Sequence, residues 1–156
     1  MLSSLTTNKF VVKDSFTFAT DVRKQNHKLY MTSFDVDSLF TKIPLDETIN
    51  ICVRKLFGRK RKFNGFSETD FKQLLQFAVK DSLLMFNGKY YLQCDGVAMG
   101  SPLCPTLANI FLCYWEELWL LKCPKQFAPV YYKRYMDDTF VLFTSVDHVR
   151  KKLMYT

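Results

Sequence analysis

The sequence specifies an α+β fold, an antiparallel sheet covered by helices. Three observations carry that expectation. Apolar residues recur at helical spacing in separate segments, at Ile49, Val53, Leu56 and Phe57 and again at Phe71, Leu74, Leu75 and Ala78. Two β-rich runs, 130–135 and 139–143, lie near the end of the chain, and a third run, 28–36, contains Asp35. Finally, Leu83 to Phe86 and Lys89 to Leu92 flank Asn87-Gly88. That dipeptide tolerates the positive φ angles that match the twist of a tight hairpin.

The elements follow in order. Residues 1–13 read as irregular. Asp14 or Ser15 caps a helix to about residue 26, with Phe16, Ala19 and Val22 on one face. Residues 28–36 read as a strand ending in acid. Pro44 opens a helix that Gly58 closes. Arg59-Lys60-Arg61-Lys62 makes a basic loop, a phosphate contact or nuclear localisation signal if it is more than a solvated turn. Ser67 starts the next helix, with Asp70 three residues on as an imperfect capping box. After the Asn-Gly hairpin comes Gly96-Val97-Ala98-Met99-Gly100-Ser101-Pro102, a glycine-bracketed loop, and then a long helix over 103–121. Trp115 and Trp119 lie four apart on it with Phe111 and Leu112, the spacing of a core stripe. Met136-Asp137-Asp138 joins the two closing β runs, and Ser145 caps a helix running to Thr156.

Composition narrows the function. The 156 residues make one domain or a piece of a larger one. At 48% hydrophobic and 16% aromatic, the chain has the material for a packed core. Lys and Arg number 22 against 15 Asp and Glu, a net charge of +7 that favours polyanions, nucleic acid before anionic membrane. Five cysteines, an odd number with no C-x-x-C, suggest neither a disulfide framework nor a zinc knuckle. They read as reduced, buried thiols of an intracellular protein. The N-terminal residues lack the charged and apolar blocks of a signal peptide. Residues 102–121 are the most apolar stretch, but Pro105 and Glu116-Glu117 argue against a membrane span. His27 and His148 have no partner at metal-ligand spacing and read as surface residues.

Three short segments carry the chemistry. In Tyr135-Met136-Asp137-Asp138, adjacent carboxylates sit at a turn that lacks its usual glycine. Alone, this is a solvated acidic turn. Flanked by Val-Tyr-Tyr and Thr-Phe-Val-Leu-Phe, it is a pair of carboxylates at the tip of an apolar hairpin, where oxygen-only ligands suit magnesium. In Phe34-Asp35-Val36-Asp37-Ser38-Leu39-Phe40, the acids mark either a polar strand exit or a second source of metal ligands. If Asp35 meets Asp137 across neighbouring strands, the carboxylates suit two divalent ions roughly 3.5–4 Å apart. The loop from Asp95 to Pro105 is either a plain strand-to-helix connection or a surface that a base and sugar approach closely.

Their order resembles the palm of a reverse transcriptase, most closely that of Penelope-like retroelements, relatives of telomerase. Residues 34–41 with Ile43-Pro44-Leu45-Asp46-Glu47-Thr48 are similar to that family's first catalytic motif. Asp95 to Pro105, continuing through Thr106-Leu107-Ala108-Asn109-Ile110-Phe111, resembles its template- and nucleotide-positioning motif. Tyr135-Met136-Asp137-Asp138 matches the Y-x-D-D signature. The likeness covers the chain from about residue 5 to its end.

The resemblance implies RNA-templated DNA synthesis by two-metal nucleotidyl transfer. Asp35 and Asp137 would coordinate two Mg2+ ions, for which Mn2+ substitutes, and Asp138 would support the site. Val36, Asp37, Ser38 and Leu39 would face the triphosphate of a deoxynucleotide. Phe40 would be a steric gate against a ribose 2′-hydroxyl, where the bland alternative is a core phenylalanine. Gly96, Met99, Gly100, Ser101 and Pro102 would line the floor under the templating pair, and Tyr135 would pack near the primer end. Lys133-Arg134 would touch primer or template phosphates unless both simply face outward. The partners implied are an RNA template, a DNA primer and deoxynucleoside triphosphates, in the nucleus and without a membrane.

Departures from the family pattern shape the expectation. Lys9, Lys13 and Lys24 do not match the basic fingers residues that clamp the triphosphate. The chain stops at Thr156, before the family's lysine-bearing motif, primer grip and thumb, and it carries no GIY-YIG endonuclease. Cys104 replaces a common Ser, and Asp95 stands where many relatives have Gln, although Penelope-like sequences often have Asp there. Residues 1–156 therefore read as a single partial domain, the palm with part of the fingers, weak or inactive alone. Two alternatives stay open: an RNA-dependent RNA polymerase palm, against which Phe40 argues, and a non-catalytic, domesticated nucleic-acid-binding module.

Overall fold

The computed structural model describes residues 2–25, 28–58 and 62–147. A 3₁₀ turn (Ser3–Leu5) comes first, then α1 (Ser15–Arg23), β1 (Tyr30–Phe34), α2 (Leu39–Lys42), α3 (Leu45–Phe57) and α4 (Glu68–Val79). The hairpin β2 (Leu83–Phe86) and β3 (Lys89–Leu92) follows, then α5 (Cys104–Lys122), β4 (Tyr131–Tyr135) and β5 (Asp138–Phe143). The α+β class holds: β1, β5 and β4 form a three-stranded antiparallel sheet in that order, and β2 pairs with β3 separately. The basic residues Arg59 to Arg61, His27, His148 and the helix expected beyond Ser145 lie outside the described residues, wholly or from residue 148 on. Among the described residues, no helix is long and apolar enough to cross a membrane.

The chain divides into two compact units. The first comprises Met1–Thr7 and Ser38–Tyr114, and the second Asn8–Asp37 and Trp115–Thr156.

In the first unit, α3 begins just after Pro44 and stops at Gly58, whose φ of +48° a side chain would resist. Asp46 and Glu47 lie in its first turn and Arg54 and Lys55 in its last, the order that complements the helix dipole. The capping box of α4 is complete: Ser67 Oγ accepts from Asp70 N at 3.2 Å, and Asp70 Oδ2 accepts from Ser67 N at 3.4 Å. The shorter aspartate does the work usually given to glutamate. Ile49, Cys52, Val53, Leu56 and Phe57 of α3 pack with Phe71, Leu75 and Val79 of α4, and Leu107 and Ile110 of α5 join the same core. Burying each large apolar side chain contributes about 1.5–3 kcal/mol.

The β2–β3 turn has φ of +49° at Asn87 and +73° at Gly88, as the dipeptide predicts. Every residue of both strands is exposed. The run from Leu83 to Phe86 is apolar at all four positions, and the structure leaves it on the surface.

The second unit is the three-stranded sheet with α1 and residues 115–122 of α5. Asp14 caps α1, accepting from Thr17 N at 2.7 Å. That backbone hydrogen bond, with one from the Thr17 hydroxyl, holds the Asp14 carboxyl below its ordinary pKa. Phe18 of α1 meets Phe140 of β5 edge-on at 5.3 Å. The stretch after Thr7, expected to be irregular, has a definite place. Arg134 N donates to Phe10 O at 2.9 Å and Val12 N to Arg134 O at 2.8 Å, so this stretch covers the free edge of β4.

Two further expectations are corrected. Trp119 leans on the Tyr132 ring at 6.1 Å, but Trp115 is exposed, so the tryptophan pair is not one core stripe. Cys52, Cys104 and Cys113 are buried thiols, whereas Cys94 is exposed and Cys123 half-buried.

Candidate active site

Strand register brings the acidic residues to one end of the sheet. The last β1–β5 pair is Phe34 with Thr139, and the last β4–β5 pair is Tyr135 with Asp138. Thr139 locks the first of these, accepting from Phe34 N at 3.1 Å and donating to Phe34 O at 2.9 Å through the same hydroxyl. Asp35 therefore leaves β1 beside the start of β5, where Asp138 stands, and Asp137 occupies the two-residue turn between β4 and β5. Asp35 and Asp138 are exposed and Asp137 is half-buried.

The turn is strained. Met136 has φ of +55° at the first central position, where a hairpin of this length prefers glycine. A non-glycine residue in this region costs about 1–2 kcal/mol.

A cleft of about 550 Å³ opens beside the hairpin, lined among others by Val12, Phe16, Phe18, Lys133, Tyr135 and Asp138. Tyr135 is exposed. Lys133 Nζ donates to Lys9 O at 2.8 Å.

Arg134 corrects the expectation that it meets phosphates. It is only 1% exposed, and its Nε donates to Glu116 Oε1 at 2.6 Å. Adjacent residues of a strand face opposite ways, so Lys133 and Arg134 have different surroundings.

The three carboxylates supply oxygen donors only, the set that suits Mg2+. Among the described residues, no three His, Cys, Asp or Glu side chains form a ready-made ligand group. That is compatible with Mg2+, which is usually held by one or two carboxylates plus substrate phosphates rather than by an all-protein cage. The donor chemistry fits the ions that the family resemblance implies.

The remaining sequence-predicted residues fall in two stretches. Val36 is half-buried and Asp37 exposed, both in the second unit. In the first unit, Ser38 adopts φ +54° ahead of α2, Leu39 is buried, and Phe40 is partly buried against the core.

The glycine-bracketed loop lies in the first unit as well. Gly96 is buried with φ of +75°, and Gly100 is exposed with φ of +101°. Met99 and Pro102 are exposed and Ser101 is half-buried. Val97 N donates to Phe40 O at 2.8 Å, which ties this loop to α2. Asp95 Oδ1 accepts from Gly96 N at 2.8 Å and from Leu45 N at 3.2 Å. One carboxylate thus shapes the loop and caps the start of α3, a role that no local pattern announced.

Residues 1–155 match the family model for reverse transcriptase (RNA-dependent DNA polymerase). No curated relative matches the sequence. The fold is similar to that of an apo telomerase from Candida tropicalis truncated from its C-terminal domain, with 17% identity over 98% of this chain and 34% of that one and a TM-score of 0.64. It is also similar to an apo telomerase from Candida tropicalis, with 15% identity over 94% of this chain and 30% of that one and a TM-score of 0.67. This chain spans about a third of the length of those telomerase chains. At such identities the likeness is one of fold, an α+β architecture of the telomerase reverse transcriptase type. The family match over nearly the whole sequence goes further: the chain belongs to the reverse transcriptase family of RNA-directed DNA polymerases.

Proposed function

We propose that this chain carries the catalytic centre of an RNA-templated DNA polymerase, of the Penelope-like branch, acting in the nucleus. The observation that supports it most is the register placing Asp35, Asp137 and Asp138 at one end of the β1-β5-β4 sheet. In this reading Asp35 and Asp137 hold two Mg2+ ions and Asp138 supports them. When bound, such ions lower the pKa of a primer 3′-hydroxyl and stabilise the departing pyrophosphate.

The chain's own residues orient the reactants. The stretch from Val36 through Leu39 faces the triphosphate. Phe40 sets the height of the sugar and disfavours a 2′-hydroxyl. Gly96, Met99, Gly100, Ser101 and Pro102 form the floor under the templating base pair, and Tyr135 packs on the primer end. RNA template, DNA primer and deoxynucleoside triphosphates are the substrates. The net charge of +7 supports binding of the duplex, with affinity falling steeply as salt rises. The chain matches about a third of the length of the telomerase chains it resembles, so in this reading these residues taken alone hold primer weakly.

The test is incorporation of a single labelled deoxynucleotide on a DNA primer annealed to RNA, with Mg2+ or Mn2+. Slow, metal-dependent addition that disappears in Asp137→Ala and Asp35→Ala is the expected result. Processive synthesis by the chain alone would refute its weakness. Binding of primed template with no incorporation under either metal would replace the catalytic reading with that of a nucleic-acid-binding module.

A further inference from the structure

Arg134 lies three residues before Asp137, on the strand that leads into the turn. A guanidinium taken out of water costs several kcal/mol unless its hydrogen bonds are made in full. Here they are directed two ways. Towards α5, Nε donates to Glu116 Oε1 at 2.6 Å and Nη2 to Oε2 at 3.3 Å, a two-point fork on one carboxylate. Tyr132 OH donates to the same Oε1 at 2.7 Å, and Glu116 is itself buried. Towards the turn, Nη1 donates to Met136 O at 2.6 Å.

That last bond links the buried pair to the proposed metal site. The Met136 carbonyl belongs to the peptide joining Met136 to Asp137, and Met136 is the residue held at positive φ. Fixing the carbonyl fixes the plane of that peptide, and with it the starting point of the Asp137 side chain.

We infer that Arg134, held by Glu116, is a positioning residue that sets the Met136-Asp137 peptide and so aims the Asp137 carboxylate. A pair serving only to join sheet and helix would do as well as apolar side chains of similar volume, which often replace buried ion pairs without loss. Lysine would not serve, because one ammonium lacks the planar fork that reaches a carboxylate and a carbonyl together. The link to metal binding rests on the reading of Asp137 as a ligand. The effect on the turn does not.

Two readouts on the full chain separate these claims. The first is NMR hydrogen exchange of the Asp137 and Asp138 amides, in wild type and in the double variant Glu116→Leu/Arg134→Met. Exchange in the turn at least tenfold faster, with Val141 and Leu142 unchanged on the central strand, is expected. Unchanged exchange in the turn overturns the inference. Should the double variant fail to fold, Arg134→Lys takes its place, with the same expected and contrary results.

The second readout is Mn2+ binding followed by electron paramagnetic resonance, with Asp137→Asn as reference. At least tenfold weaker binding in the folded double variant is expected. Wild-type affinity there, where Asp137→Asn has lost it, overturns the aiming role. Equal binding by wild type and Asp137→Asn refutes Asp137 as a ligand, and the exchange data still decide what Arg134 does to the turn.

Discussion

Gly96→Ala should be the most damaging one-carbon change in the glycine-bracketed loop. Two costs arise at this position. The first is conformational: φ of +75° places a Cβ against its own backbone, at about 1–2 kcal/mol. The second is steric. A Cβ built on Gly96 would lie 2.5 Å from Thr41 O, 2.7 Å from Thr41 C and 2.8 Å from Thr41 Cα. All three are backbone atoms, so no rotamer change relieves the overlap, and they stand roughly 0.7 Å or more inside ordinary van der Waals separation. Overpacking of this kind costs about 1–3 kcal/mol. Together the two terms reach about 2–5 kcal/mol, a large share of a typical domain stability of about 5–15 kcal/mol.

Urea unfolding followed by circular dichroism measures the loss, and the chain supplies its own controls. Gly88 and Gly100 also have positive φ, +73° and +101°, but a Cβ on either meets nothing within 4 Å. Alanine at those positions should cost only the conformational part, about 1–2 kcal/mol. The excess at Gly96 is then the steric part. Equal losses at all three glycines would refute the close approach to Thr41. The same contact underlies the Val97-to-Phe40 hydrogen bond, so a shifted loop would also move the backbone that carries the proposed sugar gate.

Two further outcomes follow from buried side chains. Tyr131 OH is buried without a hydrogen-bond partner among the described residues, and burial first, then the charge of Asp21, raises its pKa. Tyr131→Phe should leave stability unchanged or raise it by up to about 1 kcal/mol in urea unfolding, and a loss larger than that would reveal a partner for the hydroxyl. Cys52 has its thiol pushed up to about 12 by burial, from an ordinary 9.0. Its folded pKa lies above the unfolded one, so its contribution is full below pH 9 and is lost as pH rises from 9 towards 12. Stability should fall through that window, and the slope should flatten in Cys52→Ala. At pH 8, a thiol reagent should label the exposed Cys94 and spare Cys52 in the folded chain.

Features set by neighbours in the chain were legible in the sequence. Ser67 and Asp70 lie three apart and cap α4 as their spacing predicts. Asn87-Gly88 makes its hairpin, and Gly58 ends α3. The carboxylates were legible for a different reason. Adjacent acids between aromatic β runs are costly to place without a use, and a strand pattern before Asp35 gave them a common sheet. The α2 helix was not legible. Its four residues are too few to show a period, and the left-handed Ser38 before it leaves no mark in Phe34-to-Phe40 except a run that also suits a strand exit.

Arg134 was misread because strand parity carries no information when both faces hold aromatics. Tyr131, Tyr132 and Tyr135 surround Lys133-Arg134, so the alternation of a half-buried strand is missing. The better signal lay eighteen residues upstream, in the Glu116 that interrupts the apolar helix. An acid placed there must find a cation or pay the desolvation cost, and the buried cation proves to be the arginine before the acidic turn. The exposed hairpin makes the converse point: Leu83 to Phe86 is apolar at all four positions, yet every residue of it is exposed. Burial here follows tertiary partners rather than hydropathy. Motifs therefore mark where the chemistry of this chain is proposed to reside, while the pair proposed to aim it emerges only when a charge in one element is matched to a charge in another.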